Sequence, residues 1–199
     1  MVSKGLVKGL NIDTNSPKPD CQACTEAKQA EEPFGKSSGS STEPGEPTHI
    51  DVWGKYSVIS INGNRYYILF VDNAGRYITI DFLKGKSQSS QKVKEYLTHL
   101  KAQGKNPKAI RVDEGKEFIN LNLKDWCHEN GIEIQATAPY SPSQNGVAER
   151  MNRTLVELAR AMLSARNLPE FLWEYAVLHA AYIQNQSYTK TLQKTPYKK

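Results

Sequence analysis

The chain has 199 residues and a formal charge of +5, with 26 lysines and arginines against 21 aspartates and glutamates. This balance permits a polyanionic partner without proving one, and the length allows one ordinary core with a short appendage. No apolar run approaches the ~20 residues that cross a bilayer. The N-terminus resembles no secretory signal, and three cysteines form no disulfide framework. We therefore expect an intracellular protein, nuclear or cytoplasmic, with no membrane partner.

Composition divides the chain into four parts. One stretch is dense in proline, glycine, serine and threonine, and because it cannot bury enough surface to fold, we interpret it as a flexible linker. The segment before it contains Cys21 and Cys24, and a compact domain follows it. The predicted parts are an N-terminal segment (1–32), the linker (33–47), the compact domain (48–187) and a polar, basic tail (188–199).

The compact domain begins with β-rich sequence. Residues 50–53 indicate a short first strand. The stretch SVISINGNRYYILFVD (57–72) predicts two strands around the turn Asn62-Gly63-Asn64, a sequence typical of hairpins. The alternating stretch RYITIDFL (76–83) predicts a further strand after a second short turn.

Helical and strand patterns then alternate. Val93, Leu97 and Leu100 have helical spacing, and Gly104 can end that helix. The later predicted elements are strands at AIRVD (109–113) and IEIQA (132–136) and helices over 118–130, 147–166 and 169–186. The order β-β-β-α-β-α-β-α-α predicts an α/β fold. Its mixed five-stranded sheet would join a three-stranded antiparallel meander to two parallel strands, with helices at its sides.

Three carboxylates lie where such a sheet can bring them together. Asp51 is inside the first strand, Asp113 ends AIRVD, and Glu149 is in the first turn of a helix. The carboxyl ends of strands are where sites form in open α/β sheets. Taken singly, each acid has an ordinary interpretation: an exposed strand residue, a turn residue, and a favourable partner of the helix dipole.

If the three acids converge, their chemistry becomes specific. Each pair of charges at ~4 Å repels by about 1 kcal/mol in water, and by about 4 kcal/mol at an effective dielectric constant of 20, so cations must neutralise them. A few oxygen ligands suit Mg²⁺ or Mn²⁺. Two such ions promote in-line displacement at phosphorus. The pattern therefore favours phosphodiester chemistry.

A helical wheel places basic residues beside Glu149. Arg153 and Arg160 fall within about 40° of it at about 100° per residue. The predicted buried stripe lies on the opposite side and consists of Met151, Leu155, Leu158 and Met162. This arginine face could meet a phosphate backbone, or it could be a solvated surface.

Five segments together resemble the catalytic core of retroviral-type integrases, especially those of copia-type retrotransposons. They are THIDVWG (48–54), NRYYILFVDNAGRY (64–77), IRVDEGKEF (110–118), GIEIQATAPYSPSQNGVAERMNRTL (131–155) and LPEFLWEYAVLHAAYIQN (168–185). The resemblance implies an RNase H-like fold and assigns Asp51, Asp113 and Glu149 as catalytic, metal-binding residues. Asp113 and Glu149 have 35 residues between them, the separation found in the family's Asp-Asp-Glu triad.

The resemblance also implies a function. It predicts a polynucleotidyl transferase that uses two Mg²⁺ or Mn²⁺ ions to trim the 3′ ends of element DNA and to join them to target DNA. The implied partners are DNA and further copies of the chain, in a dimer or a higher oligomer. The candidate DNA contacts are Lys116, Gln144, Asn145, Arg150, Arg153 and Arg160.

The N-terminal segment departs from the family pattern. In the copia-type integrases that this chain resembles, a zinc-binding module lies upstream of the core and has two histidines before Cys-x-x-Cys. Here Cys21 and Cys24 are present, but no histidine precedes them. We therefore expect a fragment or a shortened reading frame, in which these cysteines are half of a zinc site and bind Zn²⁺ only if upstream histidines are restored.

Two alternatives to an active integrase remain open. The chain could be a catalytically silent or domesticated module that binds nucleic acid or a partner. A nuclease of the same fold that degrades RNA in hybrids is the third hypothesis.

Overall fold

A computed structural model describes residues 47–113, 121–136 and 146–198. Its strands are β1 (Thr48–Trp53), β2 (Tyr66–Asp72), β3 (Ile78–Leu83), β4 (Ala109–Val112) and β5 (Glu133–Ala136). They form one mixed sheet in the order β3-β2-β1-β4-β5. The pairs β1–β2 and β2–β3 are antiparallel, whereas β4 is parallel to β1 and β5 is parallel to β4. The predicted sheet, a meander with two parallel strands, is confirmed.

The α-helices of the described residues are α1 (Ser89–Ala102), α2 (Leu121–Glu129), α3 (Gly146–Ala165) and α4 (Trp173–Gln186). Gly104 follows α1 with φ +74, a conformation that favours glycine, so the predicted helix end is confirmed. Pro169 has extended backbone and precedes a 3₁₀ turn at Glu170–Leu172, so the last helix begins later than predicted. None of the helices in the part of the chain that the structure describes is long and apolar enough to span a membrane.

The interior strand β2 is buried on both faces, which explains its continuous apolar sequence. Tyr67, Leu69 and Val71 face the layer formed by α3 and α4. Ile68 and Phe70 face the opposite layer, which contains α1 and α2. Two cores on opposite faces of one sheet give three layers, with helices on both sides of the strands.

The first half of the predicted hairpin is wrong. Residues 57–61 form no strand; they belong to a loop that leads from β1 to β2. The loop instead lies against the start of α4. There the indole Nε1 of Trp173 donates to the carbonyl of Val58 at 3.1 Å, and the amide of Ile61 donates to the carbonyl of Phe171 at 3.0 Å.

A buried carboxylate explains why this loop is not a strand. Glu174 is 2% exposed and accepts hydrogen bonds from Ser60 Oγ at 2.7 Å and Asn62 Nδ2 at 2.6 Å. It also accepts one from Asn64 Nδ2. The polar residues that indicated a turn therefore bind a side chain 110 or more positions away along the sequence, and the loop keeps a fixed, non-strand conformation.

Candidate active site

The pleat of β1 directs Asp51 toward α3. Ile50 belongs to the core on the α1 and α2 side, and side chains alternate between the faces of a strand, so Asp51 lies on the other face. Asn152 of α3 confirms this orientation, because its Nδ2 donates to Asp51 Oδ2 at 2.6 Å. Asn152 is itself only 5% exposed. A strand acid is thus held by a buried amide from the neighbouring helix.

Asp113 lies at the same level of the sheet as Asp51. Val112 is the parallel partner of Ile50, and each of the two acids is the next residue along the chain. Asp113 follows the last residue of β4 and is exposed. The parallel register therefore brings the two aspartates from distant parts of the sequence to one edge of the sheet, as predicted for a strand end.

Glu149 lies in the first turn of α3, one turn before Asn152. Partial burial raises the pKa of its carboxyl, and the negative charges of Asp51 and Asp113 raise it further. Arg150 and Arg153 act in the opposite direction and lower it. Each charge effect requires proximity, so Glu149 lies within electrostatic reach of both aspartates.

The pKa of Asp51 is also raised, chiefly because its carboxyl is buried. The hydrogen bond from Asn152 and a backbone hydrogen bond at Val52 lower it, the charge of Asp113 raises it, and the charge of Lys86 lowers it. Burial and like charge thus both oppose ionisation of a carboxylate whose direct side-chain partner is a neutral amide.

An open cleft of about 490 Å³ separates the end of β1 from α3. Asp51, Glu149 and Asn152 line it together, and its remaining lining residues are Val52, Trp53, Gly54, Lys55 and Arg153. Two of the three predicted catalytic acids therefore share one solvent-open space with an arginine and a lysine.

The described residues do not form a complete ligand cluster for a metal ion. Across 47–113, 121–136 and 146–198, no three histidine, cysteine, aspartate or glutamate side chains are arranged to hold one ion. Burial and, after it, mutual repulsion raise the pKa values of Asp51 and Glu149. The donor chemistry nevertheless fits a divalent cation, because a cation held by carboxylate oxygens would offset that repulsion. Metal binding by Asp51, Asp113 and Glu149 stays a prediction.

The predicted DNA contacts have different positions. Arg153 lines the cleft. Arg150 and Arg160 are exposed on α3; the charge of Arg160 reaches the hydroxyl of Tyr56. The other predicted residues lie outside the described residues: Lys116, Gln144 and Asn145, and the zinc-site cysteines Cys21 and Cys24.

The predicted buried stripe of α3 is partly wrong. Leu155 is buried, but Met151, Leu158 and Met162 are only partly buried against the core. Besides Leu155 and Leu163, the buried residues of the helix are small ones, namely Gly146, Ala148, Asn152, Ala159 and Ala161. Small side chains let the helix approach the sheet closely, so they mark the centre of its buried face. A helical wheel centred on that face identifies Asn152. Neither Asn152 nor Lys55, which also lines the cleft, is among the residues predicted from the sequence.

Solved structures with a similar fold include two of retroviral integrases. The simian T-cell lymphotropic virus intasome, in complex with PP2A regulatory subunit B56 gamma, matches with a TM-score of 0.64 and 21% identity, over 89% of this chain and 62% of that one. The HTLV-2 integrase catalytic core domain in complex with magnesium, in a trimeric form, matches with a TM-score of 0.56 and 22% identity, over 78% and 95%. The sheet order, flanking helices and these likenesses define the class: an RNase H-like fold of the integrase catalytic-core type.

Sequence comparisons identify the family. The Integrase core domain model matches residues 41–142, just over half of the chain. The chain is 35% identical over 188 residues to the retrovirus-related Pol polyprotein from transposon TNT 1-94 of Nicotiana tabacum, and 34% identical over 185 residues to that from transposon RE2 of Arabidopsis thaliana. The matches cover 94% and 90% of this chain, but only 14% and 12% of those polyproteins. The chain belongs to the Integrase core domain family.

Proposed function

We propose that the chain is the catalytic core of a retrotransposon integrase, a polynucleotidyl transferase that joins element DNA to target DNA. The observation that carries this proposal is the cleft shared by Asp51 and Glu149, with Asp113 in electrostatic reach, in a member of the Integrase core domain family. Relatives described as transposon Pol polyproteins support DNA as the substrate class.

Two reactions follow from this proposal. In the first, water attacks a phosphodiester near the 3′ end of the element DNA; the phosphorus–oxygen bond to the 3′-oxygen breaks, and that oxygen leaves as a hydroxyl. In the second, this hydroxyl oxygen attacks a target phosphorus, while the target's own 3′-oxygen leaves and takes up a proton. One phosphodiester bond forms as another breaks, so strand transfer needs no oxidant and no external energy source.

Asp51, Asp113 and Glu149 are the residues that would hold Mg²⁺ or Mn²⁺, as two ions per site. When bound, such ions supply charge neutralisation and activation of the attacking oxygen. The HTLV-2 integrase catalytic core domain, whose fold is similar and which was solved in complex with magnesium, supports this choice of metal. In the protein itself, Asn152 fixes the carboxyl of Asp51 through its 2.6 Å hydrogen bond, so that one acid of the site is oriented before any ligand arrives.

Arg153 contributes positive charge at the cleft, where it would neutralise a backbone phosphate of bound DNA. Arg150 and Arg160 extend the basic surface along α3. Positioning and electrostatic stabilisation therefore account for most of the proposed catalysis.

The proposed assembly contains further copies of the chain. Support comes from the neighbours described as an intasome and as a trimeric form, and from an exposed apolar stripe formed by Phe171, Tyr175, Leu178 and Tyr182. Leu178 is 49% exposed and Tyr182 is 60% exposed. Leu178→Glu should lower the mass measured by analytical ultracentrifugation at equal concentration, because it places a charge in an apolar interface. An unchanged mass distribution would remove this stripe from the interface.

The test of the proposed function uses oligonucleotides that mimic element ends. The purified chain with Mg²⁺ or Mn²⁺ should release a shortened 3′ end and join it to a target duplex. Asp113→Asn should lose both activities, while Asp125→Asn, an exposed change of the same chemistry on α2, should keep them. Activity that survives Asp113→Asn at the wild-type rate would refute the proposal.

One observation favours a second candidate, a catalytically silent nucleic-acid-binding module. The three acids form no ligand cluster within the described part of the chain. A calorimetric titration with Mn²⁺ separates the candidates, since an integrase core should show heat that Asp113→Asn abolishes. Binding of DNA with no such heat would favour the silent module.

A further inference from the structure

The cleft has a cation on each of its two walls. Arg153 belongs to α3, and Lys55 belongs to the segment that leaves the end of β1. The acids Asp51 and Glu149 line the same space. Neither cation forms an ion pair with a carboxylate among the described residues. Both therefore have charge available for an incoming anion.

The backbone around Lys55 is fixed on both sides. Gly54 has φ +124, and a Cβ at this position would lie 2.7 Å from the carbonyl oxygen of Arg65 and 2.8 Å from the ring of Tyr66. No larger residue fits there without displacing β2. After Lys55, the amide of Tyr56 donates to the carbonyl of Arg65 at 2.8 Å. Lys55 itself is exposed, and the residues on either side of it contact Arg65 and Tyr66 at the start of β2.

Aromatic packing and a buried acid hold the rest of this loop. The ring of Tyr56 lies 5.4 Å from that of Trp53 and 5.7 Å from that of Trp173, measured between centroids. Further along, Ser60 and Asn62 bind the buried carboxylate of Glu174. The backbone of Lys55 is therefore held at the cleft, and its exposed side chain is accessible to a phosphate.

We propose that Lys55 contacts a backbone phosphate of DNA on the strand side of the cleft, opposite Arg153 on the helix side. This inference rests on the proposed function and adds a substrate contact to those predicted from the sequence. A phosphodiester drawn toward the acids would meet positive charge from both walls, and the two cations would offset the repulsion between its phosphates and the carboxylates. Lys55 supplies charge rather than sequence readout, because phosphate contacts carry no base information.

Salt dependence tests this contact in the full 199-residue chain. Lys55→Gln removes the charge and keeps much of the length, Lys55→Arg keeps the charge, and Lys105→Gln is a matched control on an exposed lysine after α1, away from the cleft. Affinity for a duplex with an element-end sequence is measured from 50 to 200 mM salt. Loss of one phosphate contact makes the negative slope of log affinity against log salt shallower by about 0.9, so the ratio of wild-type to variant affinity should fall roughly 3.5-fold across this range.

We expect the reduced slope and weaker strand transfer for Lys55→Gln, and near-wild-type behaviour for Lys55→Arg and Lys105→Gln. If wild-type protein joins DNA but Lys55→Gln has the wild-type slope, the inference about Lys55 is wrong and the proposed function stands. If wild-type protein neither binds nor joins DNA, the inference about Lys55 and the proposed function are both wrong.

Discussion

The side chain of Glu174 holds the loop beside the cleft, and this role can be tested by mutation. Its buried carboxylate is the common acceptor for Ser60, Asn62 and Asn64, and it fixes the loop that follows Lys55. Glu174→Ala removes all three acceptor interactions at once. We therefore expect a large loss of stability from a residue that lies outside the proposed catalytic site.

The magnitude follows from burial. The bond from Ser60, which is buried, corresponds to about 1.5–3 kcal/mol for a charged acceptor. The two bonds from the asparagines are only partly buried, so water replaces each in part and each corresponds to about 1 kcal/mol. Glu174→Ala should thus lower the free energy of unfolding by about 3.5–5 kcal/mol, out of a typical total of about 5–15 kcal/mol. The free energy of unfolding of Glu174→Gln should lie between those of Glu174→Ala and the wild type. Its amide oxygen can still accept a hydrogen bond, but its amide nitrogen faces donors and cannot accept from them.

Equilibrium unfolding in urea, followed by tryptophan fluorescence, measures this loss. Trp173 adjoins Glu174 and bonds the same loop, so its emission reports the local structure. With a slope of about 2 kcal/mol per molar urea, the midpoint for Glu174→Ala should fall by roughly 2 M. Glu170→Ala, an exposed change in the preceding turn, is the control. A Glu174→Ala midpoint that matches the control would refute the role assigned to the carboxylate.

Two further predictions concern the acids and their partner. Burial raises the pKa of the Asp51 carboxyl, so the folded state is favoured when this carboxyl is protonated. This contribution to the free energy of unfolding is fully present below about pH 4 and is lost as pH rises through the raised pKa. Asp51→Asn should therefore raise the melting temperature of the metal-free chain at pH 7 but not at pH 3. The control Asp125→Asn should leave the melting temperature unchanged at both pH values. An unchanged melting temperature for Asp51→Asn at pH 7 would contradict this prediction. Asn152→Ala should reduce kcat for strand transfer more than it raises KM for DNA, because Asn152 orients Asp51 rather than contacting substrate; a change confined to KM would exclude that role.

The sheet could be predicted because its signals are local. The strands β2 and β3 alternate or run continuously apolar, and each is bounded by turn residues, so pattern alone identifies them. The parallel addition of β4 and β5 follows from the helices that precede them. Asp51 and Asp113 could be proposed as partners for the same reason, since strand order determines which strand ends are neighbours.

The loop and the helix face could not be predicted in the same way. Residues 57–61 have a strand-like pattern, and the residue that overrides it, Glu174, lies more than 100 positions later in the sequence. On α3, the largest apolar residues predict one buried face, whereas the helix packs largely through small residues and Asn152, with Leu155 and Leu163 among them. Long-range polar contacts and close helix–sheet approach leave little trace in local periodicity.

The central claim is that Glu149 acts with the two aspartates on a phosphodiester in one cleft. Its most direct test is strand transfer by Glu149→Gln with Mg²⁺ or Mn²⁺, alongside the exposed control Glu129→Gln and a DNA-binding measurement on each protein. We expect Glu149→Gln to bind DNA but to join it on the order of 10²-fold more slowly, the loss typical of removing one preorganised electrostatic group. Joining by Glu149→Gln at the rate of the control would contradict the claim.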